Sequence, residues 1–100
     1  MFSVPINKII LTIPIKEAIL NLNGDINLTS NKIVYDGSLP LSRMENMINA
    51  FKYGLFSNRD NIPPLKIKNS NEEYYKIIDG RHRFVASVIF KNTHIYCVYC

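Results

Sequence analysis

No two lysine or arginine residues are adjacent anywhere in the chain, and only four of its twelve basic residues are arginines. A basic tail or an arginine-rich nucleic-acid arm is therefore excluded. Long apolar runs are absent as well. Pro5, Lys8, Pro14, Lys16 and Glu17 interrupt the apolar opening segment, and nothing approaches the roughly 20 residues of a membrane span. No secretory pattern opens the chain. The expected setting is intracellular, cytoplasmic or at a nucleoid or nucleus, with no membrane partner. Cysteine is scarce: Cys97 and Cys100 stand alone, with no second pair to complete a zinc site. On a strand, residues three apart face opposite ways, so the two thiols are expected to diverge and no metal is expected. Their C-x-x-C spacing, with His94 three residues earlier, is also that of half a zinc site or a redox pair, but ordinary strand cysteines are the expected reading; the chain has no internal repeat and no low-complexity segment.

One hundred residues make one domain. A hydrophobic share of 47% against 20% charged residues separates the chain from disordered sequences. The net charge of +4 favours anionic partners such as nucleotides, nucleic acid or phosphorylated small molecules. A solvated basic surface fits the same charge. The wealth of Ile, Asn, Lys and Tyr reflects AT-rich coding, as in a large virus or a low-GC microbe, and carries no information on function.

Along the chain, Phe2 to Ile6 and Lys8 to Ile13 read as extended segments, with Pro5 marking an edge. Ile15 to Leu22 forms a short helix, Asn21 to Lys32 a polar loop, and Lys32 to Tyr35 a short strand closed by Asp36-Gly37. Ser42 and Glu45 make a capping box that opens a helix with Met44, Met47, Ile48, Phe51 and Leu55 on its apolar face and Gly54 as terminator. Pro63-Pro64 precedes the alternating strand Leu65 to Lys68. A turn at Asn69 to Asn71 leads into the strand Glu73 to Asp79, which predicts a hairpin. A helix from Gly80 to Lys91 carries Phe84, Val85, Val88 and Ile89 on one face, and His94 to Tyr99 makes the last strand. The final strand–helix–strand unit is expected to have parallel strands. The fold class is α/β in the α+β sense: a small mixed sheet flanked by helices.

The chemistry concentrates in KIIDGRHRFVAS, Lys76 to Ser87. Arg81, His82 and Arg83 occupy the first turn of the last helix, where cations oppose the helix dipole. An anion seated there would reverse that penalty, because the first amides of a helix have no internal partner. Gly80 is expected to let a ligand approach the backbone, and Asp79 to cap the helix or steer a cation. A plain solvated first turn, with Asp79 offsetting the arginines, is the alternative.

From about Leu41 to Val98 the chain resembles the ParB/sulfiredoxin superfamily, whose hallmark is a strand ending in a G-x-x-R turn that opens a helix. MENMINAFKYGLF, IPPLKIK, YYKIIDGRHRFVAS and HIYCVY fall in that family's order. Gly80, Arg83 and Ala86 match the ParB pattern, with Arg81 where Glu is usual. His82 and Arg83 match sulfiredoxins, with Arg81 in place of the catalytic cysteine. Asp79, Gly80, His82 and Arg83 match the D-G-H-H-R of free serine kinases. The resemblance implies a nucleoside triphosphate, ATP or CTP, with its phosphates on this turn and magnesium as a companion. Asp79, Gly80, Arg81, His82 and Arg83 are then the nucleotide- and phosphate-binding residues.

What reaction follows is left open, and whether the chain is an enzyme is open with it. The leading reading is a DNA-associated ParB-like module, nuclease-like or accessory to a virus or mobile element, with nucleotide and DNA as partners and a homo-oligomer or larger assembly as its form. A full partition clamp is not expected: a helix-turn-helix would follow this domain and the chain ends first, and the Q-P-R segment expected after the first strand is missing. The sulfiredoxin reaction is disfavoured by the missing cysteine. A second reading is a small-molecule phosphotransferase, in which Asp79 helps hold magnesium and Glu17 acts as base on a substrate hydroxyl. A third is a degenerate structural or interaction module.

Overall fold

The alternation in Leu65–Asn69 decides the centre of the fold. In the computed structural model, Leu65 and Ile67 are buried and Lys66 and Lys68 exposed, which is the period of a strand with one covered face. The structure describes residues 1–34, 37, 40–52, 62–70 and 73–100, without the side chains at 47 and 50–52. Among these residues the order is β1 (Phe2–Pro5), β2 (Leu11–Thr12), α1 (Ile13–Asn21), β3 (Ile33–Val34), α2 (Leu41–Lys52), β4 (Leu65–Asn69), β5 (Tyr75–Asp79), α3 (Arg81–Ile89) and β6 (His94–Tyr99), with short 3₁₀ turns at Ile6–Lys8 and Ile26–Leu28.

The main sheet has four strands in the order β1-β6-β4-β5. β4 and β5 form the expected antiparallel hairpin, with Lys68 opposite Lys76. β6 lies parallel to β4 on its other side and antiparallel to β1. The expectation of parallel strands around α3 is corrected here: β5 and β6 run in opposite directions and are not neighbours in the sheet, where β4 lies between them. The hairpin reverses the chain before α3 begins, so the parallel crossover runs from β4 to β6 and contains both β5 and α3. β2 and β3 form a separate parallel pair. It is tied to the edge of β5, where the Ile10 amide donates to the Tyr75 carbonyl at 2.9 Å.

One face of the main sheet is covered. α3 packs on β4, and α1 and α2 pack on α3. The core joins Val4, Leu65, Ile67, Ile95 and Cys97 from the sheet to Phe84, Val85 and Val88 from α3, Ile15 and Ile19 from α1, and Met44 and Ile48 from α2. α3 buries more than the expected stripe, since every residue from Phe84 to Val88 is buried. That suits a helix enclosed by the sheet and two other helices. A radius of gyration of 12.4 Å matches the roughly 13 Å of a single 100-residue domain.

Two helix ends show why the chain turns where it does. After α1, Asn23 adopts φ 61°, and the Gly24 amide reaches back to the Ile19 carbonyl at 2.8 Å. After α3, Lys91 adopts φ 60°, and the Asn92 amide donates to the Ser87 carbonyl at 3.0 Å. Both are Schellman closures. At the other end of α1, Thr12 accepts from the Ile15 amide at 3.3 Å, with Pro14 in the first turn.

Other local expectations shift. Lys8 closes a 3₁₀ turn rather than opening a strand, and the strand there shrinks to Leu11–Thr12. α2 begins at Leu41, before Ser42, so Ser42 lies inside the first turn and is not its N-cap. The Met44 amide instead donates to the Pro40 carbonyl at 3.2 Å, which starts the helix two residues earlier. The expectations for Tyr35, Asp36, Gly54, Leu55, Asn71 and the side chains of Met47 and Phe51 lie outside the described residues.

Candidate functional site

Gly80 holds the junction between β5 and α3. It is the N-cap of α3 in a left-handed conformation, φ 105° and ψ 25°, and no side chain caps the helix. Asp79, expected as a capping group, is instead the last residue of β5 and exposed. The first intrahelical bond runs from the Phe84 amide to the Gly80 carbonyl at 3.0 Å. The amides of Arg81, His82 and Arg83 therefore have no acceptor among the described residues, and they sit at the positive end of the helix.

The side of Gly80 on which a side chain would stand faces Leu65. A side chain there would come within 2.8 Å of Leu65 Cδ2 and 3.5 Å of Leu65 Cα. Leu65 is fully buried, so the glycine lets β4 pack against the start of α3. Beside the expected ligand approach, the fold itself gives a reason for glycine here, on grounds of φ and of space.

The three basic residues behind it point to different tasks. Arg83 donates from Nη1 to the Pro64 carbonyl at 3.1 Å, bracing the entry to β4. Arg81 reaches the other way, its Nη1 3.8 Å from where a side chain on Gly37 would begin. His82 stays half-buried, with Nε2 shielded from solvent and unpartnered among the described residues. Burial holds its pKa below the ordinary 6.5, and the guanidinium groups of Arg43 and Arg81 push it further down. Arg43 lies in the first turn of α2, so two helix starts bring positive charge to this corner. The sequence reading did not include Arg43, because its proximity comes from tertiary packing.

Arg81 lines a cleft of about 360 Å³ between the edge of β5 and the β2–β3 pair. Ile10, Ile15, Val34 and Ile77 give the cleft apolar walls, and Thr12, Ser70 and Lys76 add hydroxyls and a second cation. Apolar walls with a few polar groups are the usual make-up of a small-molecule site, and the volume lies within the usual range of about 300–1,000 Å³. Of the predicted residues, only Arg81 lines it. The sequence did carry a signal for Thr12, the N-cap pattern Thr12-Ile13-Pro14, but not for its meeting with β5.

Glu17 is exposed on α1 and is not among the residues lining the cleft. A larger cavity, about 580 Å³, lies at the opposite end of α3 along Ser87, Lys91, Asn92 and His94, and holds none of the predicted site residues. Ser87 is buried there with its hydroxyl unpartnered among the described residues. The terminal cysteines diverge as expected: Cys97 is buried and Cys100 exposed. Burial pushes the Cys97 thiol up to about 11. No group of three or more His, Cys, Asp or Glu side chains suited to a metal ion occurs among the described residues. No helix among them is long and apolar enough to cross a membrane. No protein-family model, curated protein or solved structure matches the chain.

Proposed function

We propose that the chain is a ParB/sulfiredoxin-like domain that binds a nucleoside phosphate in the cleft beside Arg81. The observation that carries this reading is the position of Arg81. It opens α3 directly behind the left-handed Gly80, next to amides without acceptors among the described residues, and lines an apolar-walled cleft with Lys76, Thr12 and Ser70. The phosphate pairs with Arg81 and Lys76 and with the helix amides. The nucleoside lies against Ile10, Ile15, Val34 and Ile77, with the hydroxyls of Thr12 and Ser70 orienting it. ATP and CTP are the nucleotides to test, with and without magnesium, and the wider role we assign is that of a DNA-associated module.

A second reading has its own support. Arg83 on the Pro64 carbonyl and Gly80 against Leu65 are structural duties, and they fit a module that keeps the motif for folding alone. Calorimetric titration with ATP and CTP separates the two. The nucleotide reading expects binding that Arg81→Ala weakens by about 1.5–3 kcal/mol, the worth of a charge-assisted hydrogen bond. Absence of binding by either nucleotide, with or without magnesium, would leave the structural reading standing.

A further inference from the structure

Among the described residues the helices cover one face of the main sheet and leave the other open. On that open face β4 presents Lys66 and Lys68, β5 presents Lys76 and, opposite Lys66, the exposed carboxylate of Asp79, and β6 presents Tyr96 and Val98. The antiparallel register sets Lys68 directly opposite Lys76, both exposed, and neither makes an ion pair among the described residues. Like charges facing each other across a ladder destabilise a hairpin. Nothing in the fold requires them, since a threonine or a glutamate would serve either exposed position. Tyr96 is 53% exposed in the middle of a strand, at the rim of the larger cavity. The basic band continues past the start of β5, where the ammonium groups of Lys8 and Lys32 lie 5.6 and 5.7 Å from the centre of the Tyr74 ring.

We propose that this open sheet face binds single-stranded nucleic acid, with Lys66, Lys68 and Lys76 on its phosphates and Tyr96 stacked on a base. The occupant follows from charge and shape. The cations spread across two strands, and neither Lys66 nor Lys68 lines either of the two cavities described above. A polyanion laid along the face meets all three at once. An exposed aromatic ring on a sheet gives an unstacked base its platform, which a duplex does not offer. The surface is separate from the cleft at Arg81, except that Lys76 borders both.

The test is fluorescence anisotropy with labelled oligothymidylate and oligouridylate of about 15 nucleotides, a span that fits a small sheet platform. A duplex of the same length and vesicles containing anionic lipid serve as competitors. With three lysines engaged, affinity for the single strand should fall about 20-fold between about 50 and 200 mM salt. Tyr96→Ala should weaken binding about tenfold. Lys68→Glu should weaken it at least as much while leaving the melting temperature at or above that of the parent, because a repulsive pair becomes an attractive one. Lys16→Glu, the same charge change on α1, should cost less than about threefold. Arg81→Ala should leave this binding in place, which separates the face from the nucleotide cleft. Preference between the two oligomers identifies DNA or RNA as the source. No binding at low salt, equal losses in Lys68→Glu and Lys16→Glu, no loss in Tyr96→Ala, or displacement by vesicles as effective as by single strand would each overturn the proposal.

Discussion

Replacing Gly80 with alanine separates a glycine kept for folding from one kept for a ligand. The backbone at φ 105° lies where an L-residue is strained, at a cost of about 1–2 kcal/mol. The added methyl would sit 2.8 Å from Leu65 Cδ2, and Leu65 is fully buried, so its side chain has nowhere to go. Overpacking of this kind adds about 1–3 kcal/mol. The expected loss is therefore about 3 kcal/mol, a large part of the 5–15 kcal/mol that holds a typical domain together. In a domain of this size it lowers the melting temperature by about 12–24 °C. Urea denaturation followed by circular dichroism measures the loss without any ligand present. Leu65→Val removes the clashing methyl at a cost of about 1 kcal/mol, so in a double-mutant cycle it should recover about 1 kcal/mol of the Gly80→Ala penalty. A Gly80→Ala protein within about 0.5 kcal/mol of the parent, the scatter of ordinary surface substitutions, would refute this account of the junction.

Three further outcomes follow from the site. Arg83→Ala should cost about 1–2 kcal/mol of stability in the ligand-free protein, through loss of the bond to the Pro64 carbonyl, as measured by the same urea titration. His82 should titrate below 6.5 in an NMR pH series. Because its folded pKa is lowered, the unfolded chain binds the extra proton first, so its stabilising contribution is full above pH 6.5 and is lost as pH falls through the folded midpoint. His82→Gln should remove that acid-side loss, and bound phosphate should raise the midpoint. Of the cysteines, only Cys100 should react with a thiol reagent at neutral pH in the native protein, and Cys97 only after unfolding.

The parts legible in the sequence are those that local pattern controls. Alternation in Leu65–Asn69 and His94–Tyr99 marks strands because burial on one face has period two, and the polar turn before Tyr75 marks the hairpin. The direction of β6 was not legible, since its partner is β4, a strand that a hairpin and a helix separate from it. Ser42 failed as a cap because Pro40 begins the helix earlier, a choice made between two adequate start signals. Gly80 was legible as a junction, but its contact with Leu65 was not, because only packing brings β4 against it. Arg81, His82 and Arg83 look like one cationic unit in sequence. In the structure, successive helix positions send Arg83 to β4 and Arg81 to the cleft, while His82 is half-buried near Arg43.

The central claim is that the start of α3 and the cleft beside it hold a nucleoside phosphate. Amide chemical-shift mapping during titration with ATP or CTP tests it most directly, because it reads the location of binding as well as its strength. The account predicts saturable shifts at Arg81, His82 and Arg83 together with Thr12, Ser70 and Lys76, which line or adjoin the cleft. Shifts confined to the far end of α3, around Lys91 to His94, or no saturable shift at all, would contradict it.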